Sequence, residues 1–374
     1  AKTSEDVRNF LTENFYNVER IYYTEPHNDP QYWNVGDYVF ENDISGGPLP
    51  FELLKPGFPW DGNAFDIQNA IETGSFFVLH RDHGYRLGWG DPAYSIYDVQ
   101  NLDNGELRPV VWTINCNTGW FDNETDANEC GTAYASECFV EYFLNHDTGG
   151  SIGLLGSTRI SYSGNNDRLV WGFMDAIWPD FLEWCTATYP AHYPMYKMGD
   201  VTNFGKEYMM INYTWGNEIR LTSIEEFQWF GDPTMEIWTE YPATLEVSHD
   251  PEIELGSSSF QVNCDVDGAC VSLVFNDELI GRGTIFNGST TITFQPIIEV
   301  GILKIGVSKH NYIPYLAEID VAPTGPYVIC EDVSFEEMGE HIDGSIQSLD
   351  IINMDITLNN IGIAATGEEM LVTL

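Results

Sequence analysis

The hydrophobic periodicity of this chain changes once, close to Tyr241-Pro242, and this change constrains the fold more than any other feature of the sequence. Before that point, short apolar runs alternate with stretches whose apolar residues recur at helical spacing. After it, strands of period two are separated by turns rich in Gly, Asn and Asp. Because one ordinary core does not hold 374 residues, we expect an α/β domain followed by all-β modules.

In the first region, predicted helices alternate with predicted buried strands. The apolar runs at 75–80 and 109–116 are typical of strands that are covered on both faces. This alternation predicts a mostly parallel sheet with helices on both faces. The other predicted elements are helices at 4–20, 63–73, 133–146 and 168–186, strands at 21–24, 151–157 and 206–213, and a long loop at 25–62.

The second region contains many short strands, and their density is typical of an immunoglobulin-like sandwich. We therefore divide the chain into an α/β domain at 1–243, an immunoglobulin-like β-sandwich at 244–325 and the start of a further β module at 326–374. Since the sequence opens directly into a helical pattern and ends in a strand-like run, we expect an excised fragment. The predicted strands of the sandwich are 244–248, 258–264, 270–275, 278–285, 290–295, 302–309 and 315–321.

The charge of the chain is strongly negative, with 58 acidic and 15 basic residues and a formal net charge of −43. Such a surface repels nucleic acid, so phosphate recognition is excluded as the main function. No apolar run approaches the ~20 residues that a membrane-spanning helix needs. The acidic surface serves solubility or, as an alternative, holds structural Ca²⁺ through loop carboxylates.

Cys116 and His83 each follow one of the two predicted buried strands. In a parallel sheet these strand ends meet at one edge, where the site of an α/β protein lies. A thiol becomes a nucleophile as thiolate, and an imidazole within reach takes its proton and returns it to a leaving amine. Each residue alone is more often structural, and their shared position makes a catalytic pair as well supported as two structural residues. The N–H groups of Gly84 and Cys116 complete a predicted oxyanion hole.

The motifs around these residues resemble the gingipain family of cysteine peptidases, over roughly residues 4–241. The resemblance rests on a histidine motif at 75–84 and on a cysteine motif, Trp112-Thr-Ile-Asn-Cys-Asn-Thr-Gly-Trp-Phe-Asp122. Three further segments follow in the family's order: Glu137-Cys-Phe-Val-Glu-Tyr-Phe143, Gly153-Leu-Leu-Gly-Ser-Thr158 and Phe230-Gly-Asp-Pro-Thr-Met235. The resemblance implies a caspase-like α/β fold followed by an immunoglobulin-like domain.

The same resemblance implies that Cys116 is the nucleophile, that His83 is the general base, and that Gly84 and Cys116 donate to the oxyanion. His80 competes with His83, but no glycine follows it. The family orients its histidine with an acid that we expect upstream of Ala1. Four acids of the chain are alternatives to it: Glu25, Asp29, Asp37 and Asp82.

Specificity and metal binding are less constrained by the sequence. Arg159 and Tyr162 follow the strand at 151–158, where the family places a pocket wall, and Arg159 favours an acidic residue before the scissile bond unless it only faces solvent. His80 and His83 lack the further ligands of a zinc site, so the metal ligands stay unknown. Cys264 and Cys270 flank a predicted hairpin and form a disulfide, or its Asp265 and Asp267 bind Ca²⁺.

Together these observations predict a secreted or cell-surface bacterial cysteine endopeptidase that acts on proteins or peptides through a thioester. The chemistry requires no cofactor, and structural Ca²⁺ is compatible with it. The alternative is a non-catalytic surface adhesin that uses a peptidase-like scaffold and binds through its β modules. The pair of Cys116 and His83 favours the enzyme.

Overall fold

The structure is a computed structural model of the chain, and it forms two compact units, Ala1–Trp238 and Thr239–Leu374. No helix within its described ranges is long and apolar enough to cross a lipid bilayer. The residues that the structure describes are 2–33, 47–122, 137–182, 191–212, 216–326, 328–338, 345–347, 351–360, 362 and 364–367.

The first unit is built of helices and short strands. In chain order its elements are α1 (Lys2–Glu13), a 3₁₀ turn (Phe51–Leu53), α2 (Ala64–Glu72), β1 (Phe77–His80), β2 (Gly84–Tyr85), β3 (Gly88–Trp89), β4 (Tyr94–Ser95), α3 (Ile96–Val99), β5 (Val110–Thr113), α4 (Phe139–Leu144), β6 (Gly153–Ser157), α5 (Ser163–Ile177), α6 (Met198–Asn212), α7 (Asn217–Glu226) and β7 (Phe227–Phe230).

The central sheet of this unit has the strand order β1-β5-β6-β7. Strands β1, β5 and β6 are parallel, and β7 runs antiparallel to β6. Alternate residues of β5 enter different cores: Trp112 joins the one that contains α5 and α6 residues, whereas Val111 joins the one that contains α2 and α4 residues. The predicted mostly parallel sheet with helices on both faces is therefore confirmed.

The prediction of a strand at 206–213 is wrong, because these residues lie mainly in α6. The apolar run at 208–211 suggested a strand, but buried Val201, Phe204 and Tyr208 follow helical spacing on one face. This face packs closely on α5. A Cβ added to Gly172 would lie 2.7 Å from the Cα of Gly205, so both glycines are required for the helix contact.

Three predicted helices have different bounds in the structure. Helix α4 begins at Phe139, after the non-helical residues 137–138, and ends at Leu144 rather than at residue 146. Helix α1 ends at Glu13 rather than at residue 20, and Phe15 adopts a left-handed φ of 69° just after it. Helix α5 begins at Ser163, five residues before the predicted start. This early start matters for function, because it places the first turn of α5 next to the segment that follows β6.

The second unit is all β. Its sheets have the orders β10-β17-β15-β12-β13 and β14-β11-β9, with smaller pairs β16-β8 and β18-β19. The predicted sandwich strands agree with the observed ones within about three residues, and the short strand Glu252–Glu254 was not predicted. The elements are β8 (Ala243–Thr244), β9 (Val247–His249), β10 (Glu252–Glu254), β11 (Ser259–Cys264), β12 (Cys270–Phe275), β13 (Glu278–Thr284), β14 (Ser289–Thr293), β15 (Gly301–Ser308), β16 (Tyr312–Ile313), β17 (Tyr315–Ala322), β18 (Val328–Met338) and β19 (Ile351–Asn360).

The predicted disulfide between Cys264 and Cys270 is wrong, since both cysteines carry free thiols. Cys264 is buried on β11, which pairs with β14 and β9, whereas Cys270 is exposed on β12, which pairs with β13 and β15. The chain therefore passes from one sheet to the other between them, instead of folding back as a hairpin.

Candidate active site

Cys116 and His83 each lie three residues beyond the end of a strand. Strands β1 and β5 are adjacent and parallel, and their last residues, His80 and Thr113, are paired. The Ile114 N–H donates to the His80 carbonyl at 2.9 Å, which extends the pairing beyond the ends of both strands. The segments that carry Cys116 and His83 therefore leave the sheet at the same edge.

Gly84 brings the two segments into contact. It begins β2 directly after His83, and it is buried. A Cβ built on it would lie 2.3 Å from the Asn115 Oδ1 and 2.8 Å from the Cys116 carbonyl oxygen, so only glycine fits. The backbone that follows His83 consequently packs directly on the backbone of the Cys116 turn.

A closed ring of three hydrogen bonds holds the Cys116 turn from below. The Asn115 amide donates to the Thr113 hydroxyl at 2.8 Å, and the Thr118 hydroxyl donates to the Asn115 Oδ1 at 2.9 Å. The hydroxyls of Thr113 and Thr118, 3.0 Å apart, close the ring. The indole N–H of Trp89 on β3 also donates to the Thr113 hydroxyl at 2.8 Å. All four side chains are buried, so the turn has little freedom.

His80 belongs to this buried support. Its ring stacks on Trp89 with centroids 4.4 Å apart, and its Nδ1 lies 2.8 Å from the Asn115 amide nitrogen. Burial lowers the pKa of His80 to about 3, so the ring is neutral at physiological pH. His80 therefore accepts a hydrogen bond from Asn115, while His83 is solvent-exposed.

The segment after β6 lies against the Cys116 turn. Asn117, with a left-handed φ of 62°, donates its N–H to the Arg159 carbonyl at 3.0 Å, and Gly119 donates to the Ser157 carbonyl at 2.9 Å. The Cys116 sulfur lies 3.6 Å from the Ser161 carbonyl oxygen and 3.9 Å from the Ser161 hydroxyl. Within the described part of the chain, no hydrogen bond joins this sulfur to His83. Apo sites are often loose in this way and tighten around substrate.

The loop that carries His83 is held mainly by hydrogen bonds of its own backbone. The Asp82 carboxylate accepts the His83 N–H at 2.7 Å, and the His83 carbonyl accepts the Gly90 N–H at 2.9 Å. Arg81 forms an ion pair with Asp167 on α5 at 2.9 Å. These contacts fix the backbone of the loop and leave the imidazole exposed to a substrate.

Asp91 is an acid near His83 that the sequence did not indicate. The pKa of the Asp91 carboxyl is raised, mainly by partial burial and then by the nearby Asp82 carboxylate. His83 lowers this pKa, and Glu25 adds a smaller increase. Glu25 and Asp82 were considered from the sequence. Asp91 is separated from His83 by the β2–β3 hairpin, which hid their proximity.

Three further predicted residues are Asp37, Arg159 and Tyr162. Asp37 lies outside the described residues. The Arg159 guanidinium stacks 4.6 Å from the Trp120 ring and forms an ion pair with Asp122 at 2.8 Å, so its charge is already compensated. Tyr162 is exposed directly before α5.

No group of three or more His, Cys, Asp or Glu side chains in the described ranges is arranged to hold a metal ion. The two carboxylates considered for Ca²⁺ between β11 and β12 are engaged in hydrogen bonds with backbone N–H groups. Asp265 accepts from the Glu246 N–H at 3.0 Å, and Asp267 accepts from the Gly288 N–H at 3.0 Å. Binding of Ca²⁺ stays a prediction.

Comparison with known families decides the classification. The family model described as "Peptidase family C25" matches residues 1–238. The chain belongs to this family. The model of the C25 "C terminal ig-like domain" matches residues 248–322, so the C25 unit is followed by the immunoglobulin-like domain that the strand pattern predicted.

Among the relatives of this C25 chain are gingipains from Porphyromonas gingivalis. Gingipain R1 is 22% identical over 278 residues, covering 74% of this chain and 26% of the relative. Lys-gingipain W83 is 20% identical over 317 residues, covering 82% of this chain and 17% of the relative. The chain thus spans about a quarter or less of these two relatives.

A solved structure supports the fold. The Arg specific cysteine proteinase gingipain R superposes with a TM-score of 0.57 and 21% sequence identity, covering 69% of this chain and 56% of that one. At this identity the similarity establishes the fold alone. The predicted caspase-like domain and its resemblance to gingipains are confirmed.

Proposed function

We propose that this C25 chain is a cysteine endopeptidase in which Cys116 attacks the peptide carbonyl and His83 serves as general base and acid. The observation that carries the proposal is the packing of Gly84 on Asn115 and Cys116, because it joins the two strand-end segments. The imidazole takes the thiol proton, the thiolate forms a thioester, and the protonated imidazole gives its proton to the leaving amine. Water then hydrolyses the thioester.

The N–H groups of Gly84 and Cys116 are the proposed oxyanion donors. Hydrogen-bonded and non-bonded pairs alternate along an antiparallel ladder. Since Gly90 bonds to the His83 carbonyl, the next pair, Gly84 with Trp89, is the non-bonded one. The Gly84 N–H therefore points away from β3. Within the described ranges the Cys116 N–H also has no hydrogen-bond acceptor, so both donors are available to a substrate oxygen.

Asp91 and Glu25 are the proposed acids that support His83. A carboxylate near the imidazole stabilises the imidazolium that forms when the thiol loses its proton. Asp91 is the first candidate, because it directly follows Gly90, whose N–H donates to the His83 carbonyl at 2.9 Å.

Arg159 and Tyr162 are proposed to contact the substrate residue before the scissile bond. A substrate carboxylate would have to replace Asp122 at the Arg159 guanidinium, since these two groups are paired at 2.8 Å. Equal cleavage after Asp, Arg and Lys would contradict an acidic preference. We further propose that the protein acts outside a bacterial cell or on its surface, in line with its immunoglobulin-like domain.

The experiment is cleavage of a diverse peptide mixture by the reduced protein, with Ca²⁺ present, followed by mapping of cut sites by mass spectrometry. The test variant is Cys116→Ala. Its matched control is Cys270→Ala, because Cys270 is an exposed thiol of the other unit. We expect cuts from the parent and the control but none from Cys116→Ala. If the parent leaves the peptides intact, the peptidase proposal fails and the adhesin alternative takes its place.

A further inference from the structure

Ser161 contacts the Cys116 sulfur through two groups of opposite character. Its carbonyl oxygen, 3.6 Å from the sulfur, accepts a hydrogen bond from the thiol. Its hydroxyl, 3.9 Å from the sulfur, is a donor to it. Ser161 is only 8% exposed, so water does not readily replace either contact. The residue therefore offers one partner to the protonated sulfur and another to the thiolate.

Asn166 sets the direction of the hydroxyl. The Asn166 amide donates to the Ser161 oxygen at 2.8 Å, and Asn166 is 3% exposed on the first turn of α5. A hydroxyl that accepts at its oxygen still has its own hydrogen to donate. The Cys116 sulfur is the other partner of this hydroxyl in the described structure, so the hydrogen is directed at it.

We propose that the Ser161 hydroxyl stabilises the Cys116 thiolate, with Asn166 as its positioning residue. The proposal rests on the peptidase function above and adds a group to its machinery. When the proton leaves the sulfur for the His83 imidazole, the sulfur keeps the electron pair. The hydrogen bond from the thiol to the Ser161 carbonyl is then lost. The hydroxyl then donates to the anionic sulfur, and a hydrogen bond to a charged acceptor is stronger than one to a neutral acceptor.

Other charged groups around the site do not duplicate this contact. The acids Asp82, Asp91 and Glu25 are grouped with His83, and a negative charge disfavours a thiolate. Arg159 lies on the segment after β6, but its guanidinium is paired with Asp122. Arg81 is paired with Asp167. Within the described part of the chain, the Ser161 hydroxyl is therefore the side-chain donor that contacts the sulfur.

The test is site-resolved alkylation by iodoacetamide between pH 5 and pH 9, with each cysteine followed by mass spectrometry. Thiolate reacts and thiol does not, so the rate reports the thiolate population. Exposed Cys270 is the reference that corrects for the effects of reagent and pH on the alkylation rate. Alkylation of buried Cys138 reports unfolding of the C25 unit. Ser161→Ala removes the hydroxyl and keeps the carbonyl. Ser161→Thr retains a hydroxyl, and Ser151→Ala is a control at another buried serine.

We expect Ser161→Ala to slow Cys116 alkylation at pH 6 about five- to tenfold relative to Cys270, with rates converging at pH 9. Ser161→Thr is expected to restore most of the rate, and Ser151→Ala to leave it unchanged. If Cys138 of Ser161→Ala becomes reactive, Asn166→Ala replaces it, with an expected loss of about threefold. An unchanged ratio in the folded variant would overturn the inference and leave the peptidase proposal standing. A parent that cleaves no peptide would instead remove the proposed function.

Discussion

The Cys116 turn and the His83 loop start from the same sheet edge but are held in different ways. Below Cys116, buried side chains of Thr113, Asn115 and Thr118 close a ring of hydrogen bonds. Around His83, the contacts are those of the backbone with Asp82 and Gly90, and the imidazole is exposed. The core therefore preorganises the Cys116 turn, whereas in the proposed mechanism the exposed His83 imidazole has room to adjust when substrate binds.

The largest effect is expected from Asn115→Ala, which opens the hydrogen-bonded ring. The change takes the Asn115 hydrogen bond away from the His80 Nδ1 and from the Thr113 and Thr118 hydroxyls, although the two hydroxyls still contact each other. We expect a loss of about 2–4 kcal/mol in the free energy of unfolding, because buried unsatisfied groups cost more than a hydrogen bond contributes. Urea unfolding measures it. The control is Asn101→Ala, an exposed asparagine, and equal effects of the two variants would contradict the account.

The contact between the two regions is tested by Gly84→Ala. The added methyl group collides with Asn115 and with the Cys116 backbone, which the ring holds in place. We therefore expect the His83 loop to be displaced and kcat/KM to fall roughly a hundredfold, as for other misplacements of about 1 Å. Gly325→Ala, where nothing lies within 4 Å of the added carbon, is the matched control. Full activity of Gly84→Ala would show that the two segments do not need this contact.

The neutral His80 beneath the Cys116 turn predicts a pH dependence of stability. In the unfolded chain His80 binds a proton near pH 6.5, whereas the folded pKa is about 3. The unfolded state thus holds more protons between these values, and folding stability is lost as the pH falls from about 6.5 toward 3. We expect a loss of about 2 kcal/mol between pH 6 and pH 4.5. His80→Gln, compared by urea unfolding at both pH values, should be less sensitive; an identical loss would contradict the prediction.

The smallest effect is expected near the His83 loop, from Asp91→Asn. This change removes a carboxylate that interacts with His83 and does not alter the Cys116 ring. We expect kcat/KM at pH 7 to fall about three- to tenfold while the free energy of unfolding changes by less than ~0.5 kcal/mol. Asp103→Asn, an exposed acid beyond α3, is the control. If Asp91→Asn and Asp103→Asn are equally active, Asp91 does not support His83.

Strand periodicity predicted much of the fold and the two central residues. The runs ending near His80 and Cys116 are continuous and apolar, so buried strands and their shared edge followed directly. The strand at 206–213 was wrong because four consecutive apolar residues fit a strand as well as a buried helix face. The buried face of α6, with Val201, Phe204 and Tyr208 at helical spacing, distinguishes the two.

The support of the site was harder to predict, because it depends on contacts between distant segments. Asp91 reaches the surroundings of His83 through the hairpin of β2 and β3, and Ser161 reaches Cys116 because α5 begins at Ser163. Neither contact has a spacing in the sequence that marks it. Likewise, Cys264 and Cys270 are six residues apart, yet the chain passes between sheets there, and local spacing alone does not reveal that.

In the proposed mechanism Cys116 and His83 act as one unit, which a double-mutant cycle can measure. We would measure kcat/KM on one cleaved peptide for Cys116→Ala, His83→Ala and the double variant, with Cys270→Ala as control. Residues that act together are strongly non-additive, so the account predicts the same residual rate for all three variants. Substantial activity of His83→Ala, or a double variant much slower than either single one, would contradict it.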